Sequence, residues 1–127
     1  MRKWMAIAAG FCVSAVAQAQ MPANYETLVK SVTPRVVEWR RYIHENPELS
    51  NREVKTGQFI ADKLRSFGNI EVKSGVAKTG VVGVLKGGKP GPVVALRADI
   101  DALPVTERVN IPFASKVVTD FNGQKTG

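Results

Sequence analysis

The chain has 127 residues, enough for one small domain and its core. Hydrophobic residues at 44% and charged residues at 23% are the balance of a folded chain and exclude wholesale disorder. The formal charge of +7 at first points to nucleic acid, but Arg2 and Lys3 lie in a segment read below as removable. Without them 16 basic residues face 11 acidic ones, with no basic run and no interleaved aromatic platform, so no nucleic-acid partner is expected.

The first nineteen residues read as an export signal. Arg2 and Lys3 form a positive head, residues 4–17 are largely apolar, and Ala17-Gln18-Ala19 has the small-x-small pattern of a cleavage site. The apolar stretch is short for a membrane span, and no charged cluster follows it. Phe11 precedes Cys12 where a lipid-anchored signal needs a small residue. The alternative is a buried N-terminal helix of the mature fold. Cleavage after Ala19 leaves a chain without cysteine, hence without a disulfide, thiol nucleophile or thiolate ligand of its own. A periplasmic or secreted location is expected, with no membrane association after cleavage.

From Tyr25 the apolar positions Leu28, Val32, Val36, Trp39 and Ile43 recur every three or four residues, one face of a helix. Thr33-Pro34 predicts a break or kink within it, with Thr33 capping a fresh start. Asn46-Pro47 ends it, because a residue before proline is pushed out of helical geometry. Ser50-Asn51-Arg52-Glu53 predicts a capping box in which Ser50 accepts the Glu53 amide while Glu53 reaches back. The helix that it opens should turn Val54, Ile60, Leu64 and Phe67 inward and close at Gly68.

The period then changes. Ile70–Val76, Gly80–Leu85 and residues 92–96 are short valine-rich runs between glycine and proline turns, and each predicts a strand. Gly87-Gly88-Lys89-Pro90-Gly91 is a hairpin or loop signal. Two helices followed by strands predict a helix-covered sheet of mixed α/β class.

Chemistry concentrates in residues 97–104. Arg97-Ala98-Asp99-Ile100-Asp101-Ala102-Leu103-Pro104 leaves the last apolar run and ends at a proline. Carboxylates two residues apart share one side of an extended chain, and their repulsion calls for a cation or a donor nearby. At the end of a strand such a pair suits the edge of a metal site. It equally suits a solvated strand-to-loop turn capped by Asp101. Two carboxylates alone do not define a metal site.

Together two stretches resemble a family. Arg41-Tyr42-Ile43-His44-Glu45-Asn46-Pro47-Glu48-Leu49-Ser50 with Glu53 and Thr56, followed by Leu96 and residues 97–104, is similar to the start of the metal-dependent amidohydrolases. That group includes hippurate hydrolase, N-acyl-amino-acid amidohydrolases and auxin-conjugate hydrolases, and is related to the aminoacylase and carboxypeptidase metallopeptidases. The resemblance covers residues 33–127. With the export signal at 1–19, it implies at 20–127 the N-terminal portion of a mixed-sheet, helix-covered catalytic domain, incomplete in this chain.

The resemblance also implies a divalent metal (zinc, manganese, nickel or cobalt) in the full-length form. Its implied substrate is a small N-acyl amino acid or peptide-like molecule, and a homo-oligomer is compatible with it. Asp101 matches the aspartate that stands behind a metal ligand and orients it. Asp99 occupies the position of that ligand in related metallopeptidases and is expected to line the site. His44, Pro47, Glu48 and Leu49 are characteristic of the family without being metal ligands. A lone histidine at a helix end is more often a capping or packing residue. The family's His-x-Cys-Gly-His-Asp metal segment would follow the stretch matching residues 122–127. This chain alone is therefore expected to hold no metal tightly and to be inactive, since a catalytic metal takes about three protein ligands and an open position. The competing expectation is a small exported binding or interaction module without catalysis.

Overall fold

The computed structural model describes residues 21–127, and the predicted signal segment lies outside them. The chain divides between Val32 and Thr33 into two units. In the first, the described part is a short lead-in and the opening turns of helix α1 (Tyr25–Glu45), entered through hydrogen bonds from the Tyr25 amide to Pro22 O (2.9 Å) and the Leu28 amide to Asn24 O (3.0 Å).

Helix α1 is continuous through Pro34, contrary to the predicted break. Proline removes one amide from the helical ladder at a cost of about 3 kcal/mol, but its own φ is helical, so the backbone need not stop there. The helix ends where Asn46-Pro47 placed its end, and Asn46 turns back to cap it by donating its side-chain amide to Tyr42 O (2.9 Å).

In the second unit α2 (Val54–Ser66) packs across a hairpin of β1 (Ile70–Val76) and β2 (Gly80–Leu85). Both strands form where the valine-rich runs predicted them, antiparallel, with Val72 opposite Gly83 and a bulge between Ser74 and Val76. The side of α2 that is buried differs from the predicted one. Thr56, Gly57 and Ala61 are buried and Ile60 and Leu64 half-buried, whereas Val54 and Phe67 are exposed. Small residues are inside because the hairpin lies very close. A Cβ on Gly57 would stand 2.6 Å from the Thr79 carbonyl oxygen, and one on Gly83 would meet Ile70 and Leu64 at 3.1 and 3.3 Å. Bulk at Gly57 would push the helix off the sheet, so the sequence keeps bulk to the flanks.

The predicted strand at residues 92–96 does not form. A strand needs a ladder partner for its amides and carbonyls, and none pairs with this run among the described residues. Val93 and Leu96 are each 97% exposed. A further hairpin that the sequence reading did not anticipate joins β3 (Thr119–Phe121) to β4 (Gln124–Thr126). Asn122 and Gly123 both have positive φ, 52° and 79°, as a two-residue type I′ turn requires. Asn-Gly is the strongest short hairpin signal, and it was legible in the sequence. The structure is thus mixed α/β with two small antiparallel sheets. No helix among the described residues is long and apolar enough to cross a membrane.

Candidate functional site

The chemistry-bearing stretches meet where α1 ends, α2 begins and residues 99–107 pass. Residues 44–53 turn the chain sharply from one helix to the next, and the predicted capping box does not form there. Glu53 is the residue before α2 but makes no side-chain cap bond to it. Its carboxylate accepts the Asn51 amide (2.8 Å) and the Thr79 hydroxyl (2.7 Å), and the residue is only 5% exposed. Glu53 thus anchors the β1–β2 turn rather than its own helix. That turn needs an anchor, because Ala77 and Lys78 both sit at positive φ, where side chains are disfavoured. The Thr79 hydroxyl holds the Glu53 carboxyl below its ordinary range, backbone donors add to this, and burial opposes them.

The cap of α2 is Glu48. Its carboxylate accepts the amides of Lys55 (3.2 Å) and Thr56 (2.7 Å) and the hydroxyl of Thr56 (2.9 Å). Those amides belong to the first turn, whose N–H groups have no helical partner and whose dipole favours an anion. Spacing from Ser50 pointed elsewhere because a capping box is a local motif, whereas Glu48 reaches α2 from across the turn at Asn51, which has φ 64°.

Glu48 also touches the aspartate segment through its backbone. The Ala102 amide donates to Glu48 O (2.8 Å), and Leu49 pairs with Ala102 in a parallel bridge. Beside this bridge opens a cavity of about 520 Å³, lined by Ile43, His44, Glu48, Asp101, Leu103 and Glu107 among others. Asp101 is exposed and faces it. Asp99 lies outside the cavity lining, its carboxylate paired with Arg97 at 2.7 Å, both side chains exposed. The two carboxylates are therefore not presented to one hollow.

His44 sits in the last turn of α1, where a helix C-terminus favours positive charge. Its Nε2 lies 2.7 Å from Glu107 Oε2, and its ring meets Phe113 edge-on at 5.7 Å, with Arg41 stacked 4.8 Å from that ring. Glu107 is held below the ordinary carboxylate range by the Val109 amide first and by His44 second. This is the packing and end-of-helix behaviour expected of a lone histidine. Its partner, 63 residues away, carried no sequence signal.

Among the described residues no group of three or more His, Cys, Asp or Glu could hold a metal ion. They do not by themselves fit a metal centre. Asp101 lines the cavity, and the amide of the next residue, Ala102, donates to Glu48 O.

Comparison with known proteins defines the class. No family model matches the chain. It is 52% identical over 90 residues to thermostable carboxypeptidase 2 of Saccharolobus solfataricus, covering 70% of this chain and 23% of that protein. It is 51% identical over 89 residues to the N-acyl-L-amino acid amidohydrolase of Geobacillus stearothermophilus, covering 70% of this chain and 24% of the relative. Its fold matches a Bacillus subtilis dinuclear metal-binding peptidase of the M20 family with TM-score 0.61 and 47% identity, over 69% of this chain and 25% of that one. The chain spans about a quarter of the length of the relatives it matches. Over that span it is similar to metal-dependent amidohydrolases and to metallopeptidases of the M20 family.

Proposed function

We propose that the whole protein is an exported, metal-dependent amidohydrolase that cleaves the amide bond of N-acyl amino acids or similar small conjugates. The observation that carries this is the identity of about half, over some 90 residues, to an N-acyl-L-amino acid amidohydrolase and a carboxypeptidase. Both of those names describe cleavage of an amide bond at an amino acid. The dinuclear M20 neighbour supports a divalent metal in the whole protein. Export is supported by the charged head, the apolar run and the Ala17-Gln18-Ala19 site.

Within this reading Asp101 orients a metal ligand from the rim of the cavity, and such outer partners typically change metal affinity or activity by about 10–100-fold. Asp99, tied to Arg97 outside the cavity lining, is given no part in it. His44 holds residues 105–109 to the end of α1 through Glu107.

The test is an assay of N-acyl-amino-acid hydrolysis with zinc or manganese, on the product of the complete gene and on the 127-residue chain. The complete product is expected to be active and to lose activity to a chelator, and the 127-residue chain to show none above background. In the complete product Asp101→Ala should lose more activity than His44→Ala. Metal-dependent hydrolysis by the 127-residue chain, or an Asp101→Ala variant as active as wild type, overturns the assignment of roles.

A further inference from the structure

Glu48, which caps α2, also reaches the aspartate segment. Glu48 joins two segments, the first turn of α2 through its carboxylate and the Ala102 amide through its carbonyl, and it lines the cavity. Its immediate partners are among the best-buried residues described, Thr56 at 5% and Leu49 at 6% exposure, in a unit that otherwise buries little. Asp101 itself is exposed, and the backbone bonds that fix its neighbours run to Glu48 and Leu49.

We propose that Glu48 is a positioning residue for Asp101: its carboxylate, gripped by the N-terminus of α2, fixes the backbone whose carbonyl holds the Ala102 amide and so sets where Asp101 stands at the cavity rim. The physical reason is the asymmetry of the two ends. An anionic carboxylate with two backbone amides and a hydroxyl on it is held by charge-assisted bonds at a helix N-terminus, the stronger kind. The single amide-to-carbonyl bond at Ala102 is weak alone and depends on the carbonyl being aimed. Removing the carboxylate frees the Glu48 backbone to rotate and lets residues 99–104 drift, although no atom that touches Ala102 has been changed. The inference rests on the functional reading above for the use made of Asp101, but not for the latch itself.

Amide hydrogen exchange read residue by residue by NMR tests it in the 127-residue chain. Glu48→Ala should speed exchange at Ala102 by about tenfold or more relative to the β1 amides, the scale of one local opening made easier. Glu48→Gln keeps one oxygen that can accept from Thr56 but loses the charge, and should restore only part of the protection. Thr56→Val, which removes only the hydroxyl, should fall between the two. Val72→Ala loosens the hairpin instead and should speed the β1 and β2 amides while leaving Ala102 behind. An Ala102 amide that is unprotected in wild type, unchanged in Glu48→Ala, or accelerated as much by Val72→Ala overturns the proposal. Asp101→Ala is expected to leave Ala102 protected. A failure of the activity assay on Asp101 would therefore leave the latch standing, and loss of the latch would show in exchange whatever the assay returns.

Discussion

Two regions of the second unit start from similar composition and end differently. The α2–β1–β2 region buries Thr56, Gly57 and Ala61 and pairs both of its strands. Residues 86–118, with an equally apolar run at 92–96, form no strand and leave Val93, Val94 and Leu96 between 79% and 97% exposed. The difference lies in whether a run finds a pairing partner among the described residues. β1 meets β2 across a three-residue turn, so little loop entropy opposes pairing, and α2 immediately precedes them to cover one face. The run at 92–96 has no neighbouring strand to complete its ladder, and apolar character alone does not supply one.

This comparison predicts where the chain breaks first. The largest effect should come from Gly57→Ala. The added methyl meets the Thr79 carbonyl at 2.6 Å, so α2 must lift from the hairpin. Overpacking of this kind costs about 1–3 kcal/mol, more than the gain of roughly 1 kcal/mol in helix propensity. Urea unfolding followed by circular dichroism measures it, and a midpoint at or above that of wild type would mean that the close approach is absent in solution.

Acid should come next. The folded Glu53 carboxyl lies below its ordinary 4.5, so its contribution is complete above about that pH and is lost as pH falls through the folded value. Glu107 acts with the same sign in the same window, because the Val109 amide and His44 also hold it low. Glu53→Gln should therefore flatten part of the loss of stability as pH falls below about 4.5, and Glu53→Gln with Glu107→Gln should flatten more. If the single variant keeps the full acid slope, the Thr79–Glu53 anchor is not its source.

The smallest effect on folding should come from the other region. Leu96→Asp removes an apolar side chain that is 97% exposed and should change the unfolding free energy by no more than about 0.5 kcal/mol. It should also improve solubility, because an unpaired apolar run is an aggregation hazard. Marked destabilisation by Leu96→Asp would show that residues 92–96 are packed after all and would erase the contrast between the two regions.

Much of this was legible in the residues. The periodicity from Tyr25, the Asn46-Pro47 stop, the left-handed Gly68 beyond α2 (φ 68°) and the two valine-rich strands are local signals, and each appears where it was read. So are the two stretches around His44 and Asp101 that carry the family likeness. What misled was also local. Ser50 to Glu53 has the letters of a capping box, yet Glu53 serves a turn 26 residues away and Glu48 takes its place on the helix.

The sequence alone determined α1, α2, β1 and β2 in their order and the family likeness, because these follow from local patterns. The tertiary structure decided which carboxylate caps α2, that small residues rather than Val54 and Phe67 face the hairpin, and that His44 pairs with Glu107. It also decided that Asp101 faces a cavity while Asp99 turns to Arg97. Each of these depends on groups distant in the chain arriving at hydrogen-bonding or van der Waals distance. Which of them arrives is settled by the close approach of α2 to the hairpin and by the Leu49–Ala102 bridge, not by any one segment's own preference.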